Sequence, residues 1–128
     1  MNIDEAIDKY AQRGNMGMQI EHVRRVKSIE DLGTGVVFIL ALWSGQCLVA
    51  LRRLTEYLAT DPTTPTRLLV LNADEVTEEL IGELCHRPQG RGEAFWIKQG
   101  KVVGMLVDYD PSTWKTVVGT NNEMLSHL

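Results

Sequence analysis

The feature that most constrains this chain is an uninterrupted apolar run, Val36 to Trp43, which passes directly into Ser44-Gly45-Gln46-Cys47. A strand with one wet face alternates apolar and polar residues. A stretch apolar at every position through Leu42 instead predicts a strand covered on both faces, as at the centre of an α/β sheet. The run is eight residues long. A membrane span needs about 20, so the run reads as a buried strand and not as an anchor. From Cys47 the period changes. Cys47, Leu48, Leu51, Leu54 and Leu58 share one face of a helix, with Arg52, Arg53 and Glu56 elsewhere. A buried strand, a turn and an amphipathic helix therefore follow one another without a gap.

The flanking segments fit the same architecture. Ile3, Ala6, Ile7 and Tyr10 have helical spacing, with Gly14 or Gly17 as the stop. Met18, Ile20 and His22 alternate with Gln19 and Glu21, predicting a half-exposed strand to about Val26. Ser28-Ile29-Glu30-Asp31 reads as a capped helical turn ended by Gly33. Asp61 to Pro65 is a loop by composition, Leu68 to Leu71 a second buried strand, and Thr77 to Leu84 a short helix. Ala94 to Ile97 and Val102 to Tyr109 flank a hairpin turn at Lys98-Gln99-Gly100-Lys101. Asp110-Pro111 has the pattern of a helix start, followed by Trp114, Val117, Val118, Asn121, Met124, Leu125 and Leu128, with Gly119 as a weak point. The early strand-helix-strand portion favours parallel pairing and the hairpin requires an antiparallel pair. The expected fold is one α/β domain over residues 1–128, a mixed sheet of about five strands with helices on both faces.

Bulk properties exclude several function classes. With 128 residues the chain can bury a real core without disulfide staples, and two cysteines, Cys47 and Cys85, make no disulfide framework. A net charge of −4 argues against general nucleic-acid binding. The start, Met1-Asn2-Ile3-Asp4-Glu5, lacks the basic residues and apolar stretch of a secretory signal, so a cytoplasmic location is expected. No metal-ligand spacing and no phosphate-binding glycine loop occurs, so no metal or cofactor is expected.

The order of elements resembles the thioredoxin-like fold over roughly Val36 to Leu128, on three local matches. The strand entering Trp43-Ser44-Gly45-Gln46-Cys47 is similar to that family's strand entering Trp-Cys-Gly-Pro-Cys. Leu71-Asn72-Ala73-Asp74 resembles its Asn-x-Asp strand ending, and Ile97-Lys98-Gln99-Gly100 its Phe-Lys-Asn-Gly hairpin. The resemblance implies where dithiol chemistry would sit, and the sequence departs at each such position. Ser44 replaces the attacking cysteine; a hydroxyl cannot form or exchange a disulfide. Phe38 stands where the family usually has a buried aspartate that moves protons from the resolving cysteine. Gly92 stands where active relatives have a cis-proline, which implies a trans, differently shaped and flexible loop at Gly90-Arg91-Gly92. Cys47 retains the second cysteine position, on the apolar face of its helix, where it should be shielded.

The leading expectation is therefore a redox-inactive interaction or accessory module. It would hold a protein or peptide against Trp43, Ser44, Gly45 and Gln46 on one loop and Arg91 and Gly92 on another, with no nucleic-acid or membrane partner. The alternative is a divergent thiol-disulfide oxidoreductase using Cys47, with or without Cys85, if the segment after the Thr77–Leu84 helix returns toward Ser44 and brings the thiols together. A homodimer through an exposed edge strand or apolar face stays open. Bland readings stand beside each site. Cys47 reads as a small core residue, Ser44 as a helix N-cap, Cys85 and His86 as a helix end beside a surface histidine, and His22 as a satisfied structural residue. Arg87, Arg91 and Lys98 form a basic cluster around the altered loop, solvated unless an anion or acidic peptide binds there; Arg24, Arg25 and Lys27 are a similar run. Trp43 should be partly exposed, and either Phe95 or Trp96 should face the core.

Overall fold

The structure is a computed structural model that describes residues 1–11, 18–61 and 67–126. Gly14, Gly17, the Pro62–Pro65 part of the loop, His127 and Leu128 lie outside the described residues. Helix α1 (Ile3–Tyr10) opens on a reciprocal cap: the Asn2 side chain accepts from the Glu5 N–H at 2.8 Å and the Glu5 carboxylate accepts from the Asn2 N–H. Strand β1 (Gln19–His22) follows, then a 3-10 turn at Ile29–Leu32. Ser28 caps that turn, and Gly33 ends it at φ +74°. The regular strand is shorter than the alternation suggested. Val23 still donates to the Val70 carbonyl, but Arg25 adopts φ +56° and turns the chain away.

Strands β2 (Gly35–Leu40) and β3 (Arg67–Asn72) are joined by helix α2 (Gly45–Leu58), and helix α3 (Glu78–Leu84) leads to the hairpin β4 (Ala94–Lys98) and β5 (Lys101–Leu106). Helix α4 (Trp114–Ser126) ends the described chain. The sheet runs β1-β3-β2-β4-β5. The β1–β3 and β3–β2 pairs are parallel, while β2–β4 and β4–β5 are antiparallel. This is the mixed five-stranded sheet the sequence predicted. Among the described residues no helix is long and apolar enough to cross a membrane.

The pleat explains why β2 is apolar throughout. Side chains alternate across a strand. Val36, Phe38 and Leu40 join the core under α1, α2 and α4, while Val37 and Ile39 join the core under α3 and the 3-10 turn. The same alternation corrects one expectation. Trp96 and Phe95 are both fully buried, on opposite faces of the sheet. Two boundaries also move inward. Strand β5 stops at Leu106 and not Tyr109, and α4 begins at Trp114, after a turn built on Asp110. The Asp110 carbonyl accepts from the Thr113 and Trp114 N–H groups, and its carboxylate from Ser112. Gly119 does not split α4.

Candidate functional site

The site assembles where β2 ends and α2 begins, opposite the loop from His86 to Gly92. Ser44 is the N-cap of α2. Its Oγ accepts from the Cys47 N–H at 3.2 Å and donates to the Gly90 carbonyl at 2.6 Å. The hydroxyl thus ties the two loops together. Trp43 is 65% exposed, and one face of its indole lies on Gly90, where a Cβ would come within 2.6 Å of the Trp43 ring.

Cys47 is fully buried one turn below. Its Sγ accepts from the Ala41 N–H at 3.3 Å and lies 3.4 Å from the Ile39 carbonyl it donates to. Burial pushes its pKa up to about 11, and the Glu93 carboxylate adds to the rise. At neutral pH this is a neutral thiol packed in the core. Cys85 is exposed and caps α3 in a left-handed conformation, φ +57°. Helix α3 packs on the face of the sheet opposite to Cys47, so the two thiols belong to different layers, and both are free.

The loop itself is organised by a residue that the sequence reading passed over. Glu93, fully buried directly before β4, turns its carboxylate back into the loop. Oε2 accepts from the Gln89 N–H and contacts His86 Nε2 at 3.0 Å; Oε1 accepts from the Arg91 N–H at 3.0 Å. Burial alone would raise the Glu93 pKa. The Gln89, His86 and Arg91 donors together outweigh it and hold the carboxyl below its ordinary value. Gly90 and Gly92, at φ +76° and +87°, let the backbone curl around this internal anion. All described peptide bonds are trans. The expectation of a loop left loose by its glycines is corrected: it is pinned at Glu93, at Ser44, and at Tyr109, whose hydroxyl donates to the Gly92 carbonyl at 2.9 Å. Burial raises the Tyr109 pKa, with Cys47 and Glu93 as lesser contributors, so the phenol stays protonated. The signal for Glu93 was a lone acid between a glycine-rich loop and an apolar strand, with a histidine seven residues earlier.

The other sequence-predicted residues sort as follows. Gly45, Gln46 and Arg91 line a recess of about 340 Å³ with Val49, Asp108 and Tyr109. Gly92 is buried against Ala50, Tyr109 and Phe38, so it shapes the loop and offers no contact surface. The basic cluster does not form: Arg87 makes a bidentate pair with Glu78, and Lys98 reaches the Met124 carbonyl, so that of these three only Arg91 lines the recess. Arg52, off the apolar face of α2, reaches the Lys9 carbonyl and lies over the Tyr10 ring. His22 is only half satisfied, with Nδ1 3.3 Å from Asp4 and Nε2 buried without a partner among the described residues. Among those residues no group of three or more His, Cys, Asp or Glu converges as metal ligands would.

Sheet order, strand directions and the strand-to-helix turn at Ser44 together define a thioredoxin-like fold. Solved structures share it, two of them as follows. Thioredoxin from Malassezia sympodialis superposes with a TM-score of 0.57 over 80% of this chain and 93% of its own, at 18% identity. Desulfothioredoxin from Desulfovibrio vulgaris Hildenborough, in its reduced form, superposes with a TM-score of 0.57 over 80% and 98%, at 17% identity. No protein-family model matches the chain, and no curated protein matches it. At this identity the likeness is one of fold, and the residues at the site carry any argument about chemistry.

Proposed function

We propose that this protein is a redox-inactive member of the thioredoxin-like fold that works as a protein-interaction module, binding a partner segment beside Trp43 and Arg91. One observation carries the reading. The position of the attacking thiol holds the Ser44 hydroxyl, committed at 2.6 Å to the Gly90 carbonyl, above a Cys47 thiol that is fully buried. Thiol–disulfide exchange needs an accessible thiolate, and neither sulfur supplies one at this site. A binding role is supported by the outward face of Trp43, by Val49 at 48% exposure, and by the recess between α2 and Arg91. An exposed tryptophan beside a recess whose Arg91 has no carboxylate partner among the described residues has the composition of an interface anchor.

The decisive experiment measures turnover of a disulfide substrate with dithiothreitol as reductant, alongside thiol titration with and without denaturant. The reading expects no turnover above the protein-free rate, and one fast thiol, Cys85, in the folded state. Turnover that disappears in Cys47→Ala would establish the oxidoreductase alternative. The binding half is tested by comparing the proteins retained by the wild type with those retained by Trp43→Ala and Arg91→Ala. A retained set that neither substitution changes would remove the site from the proposal.

A further inference from the structure

A second concavity lies further along α2, away from the Ser44 turn. It is a cleft of about 660 Å³ between the lower half of α2 and the start of α4, floored by Tyr57, Trp114 and Pro111. Arg53 lines this cleft and also the recess beside Arg91. The wall is continuous as well. The Trp114 ring stands 5.6 Å from Tyr57 and 5.4 Å from Tyr109, and Tyr109 lines the first recess. Arg91, Arg53 and Lys115 are spread along the two recesses. None of the three has a carboxylate partner among the described residues, whereas Arg24, Arg67 and Arg87 each do. Lys115 instead lies 5.7 Å over both the Tyr57 and Trp114 rings.

We propose that the two recesses form one groove, and that its occupant is an extended peptide segment of about five or six residues whose acidic side chains alternate with apolar ones. This deepens the interaction reading above and rests on it. The length follows from α2: the twelve residues from Gln46 to Tyr57 are eleven steps and rise about 16.5 Å, which an extended chain spans in about five steps. The alternation follows from the lining. Three cations without a carboxylate partner among the described residues call for carboxylates, while the Tyr109–Trp114–Tyr57 wall calls for apolar side chains. Every second side chain of an extended segment faces the same way. Two carboxylates, Glu56 and Asp108, also line the groove. They leave only a small positive excess, which suits a segment with spaced charges better than a uniform polyanion, whose charges would also meet Glu56 and Asp108.

The test titrates isotope-labelled full-length protein with a hexapeptide of alternating glutamate and leucine, its glutamine counterpart, its lysine counterpart, and polyphosphate, following backbone amide shifts. The glutamate peptide should shift resonances around both Arg91 and Lys115, and Arg53→Glu should weaken it on the order of tenfold while improving the lysine peptide. Arg53 is exposed, and unchanged thermal unfolding of Arg53→Glu separates lost binding from lost fold. Three results would overturn the groove: shifts confined to the Arg91 recess and unaffected by Arg53→Glu, tighter binding of polyphosphate than of the glutamate peptide, or no shifts with any peptide at millimolar concentration. None of these touches the disulfide-turnover test, so the broader reading stands or falls separately.

Discussion

The Ser44 hydroxyl donates to the Gly90 carbonyl at 2.6 Å, and this bond joins the first turn of α2 to the loop that faces it. The same oxygen caps the helix through the Cys47 N–H. Ser44→Ala removes both interactions and should lower unfolding free energy by about 1–2 kcal/mol in chemical denaturation. Ser44→Cys is the more telling change. It restores both cysteines of the motif, and a thiol at an α-helix N-terminus gains reactivity. Alkylation at residue 44 should be fast, yet disulfide turnover should stay low, because Phe38 supplies no proton acceptor beneath Cys47 and Cys47 remains buried. Turnover comparable to a dithiol enzyme in this single variant would mean that one atom alone separates the two activities.

Glu93 predicts an acid dependence. Its carboxyl sits below the ordinary glutamate value in the folded protein, so the unfolded chain takes up the proton first as pH falls. The stabilisation is fully present above the unfolded glutamate pKa, about 4.3, and is lost as pH drops through the lower folded value. Glu93→Gln should cost about 2–4 kcal/mol at neutral pH. The gap between wild type and variant, read from denaturation at a series of pH values, should narrow only in acid.

Gly92 has no room for a side chain. A Cβ there would lie 2.3 Å from the Ala50 Cβ, at φ +87°. Gly92→Ala should destabilise by about 3 kcal/mol, combining overpacking with backbone strain. Gly45→Ala, with nothing within 4 Å of its added Cβ, serves as the control and should stay within about 1 kcal/mol of wild type in the same urea titration.

The three tryptophans differ enough to be told apart by quenching. Trp96 is fully buried, its indole N–H donating to Asn122 at 2.7 Å, and Trp114 is 7% exposed, while Trp43 is 65% exposed. Acrylamide should quench one accessible component of the fluorescence. Trp43→Phe should abolish that component and leave the shielded emission in place. An accessible component that survives the substitution would show that the Trp43 loop adopts another arrangement in solution.

Residues that announce themselves by periodicity were legible from the sequence. The run through Leu42 required a doubly covered strand, and the Cys47–Leu58 spacing required the helix after it. Ser44 as a cap and Cys47 as a core thiol followed from the same pattern. What escaped was chemistry between segments distant in sequence. Glu93 reads as one more acid before a strand until the fold turns its carboxylate toward the Gln89 and Arg91 amides. Arg87, Arg91 and Lys98 looked like one cluster because they are near in sequence, but β4 carries Lys98 to the far end of the sheet. The helix limit at Trp114 shifted because the Asp110 turn takes up Ser112 and Thr113 before it, and local propensity does not rank such competitors.

The curl around Glu93 has a further consequence for anything that approaches from outside. Two backbone amides of this loop already face inward on a negative charge owned by the chain itself, so the hollow is filled before a guest arrives. A visitor can meet only the rim: the guanidinium of Arg91, the exposed face of an indole, and the opening of α2. Selectivity at such a rim rests on side chains, which substitution can retune without unfolding the loop beneath.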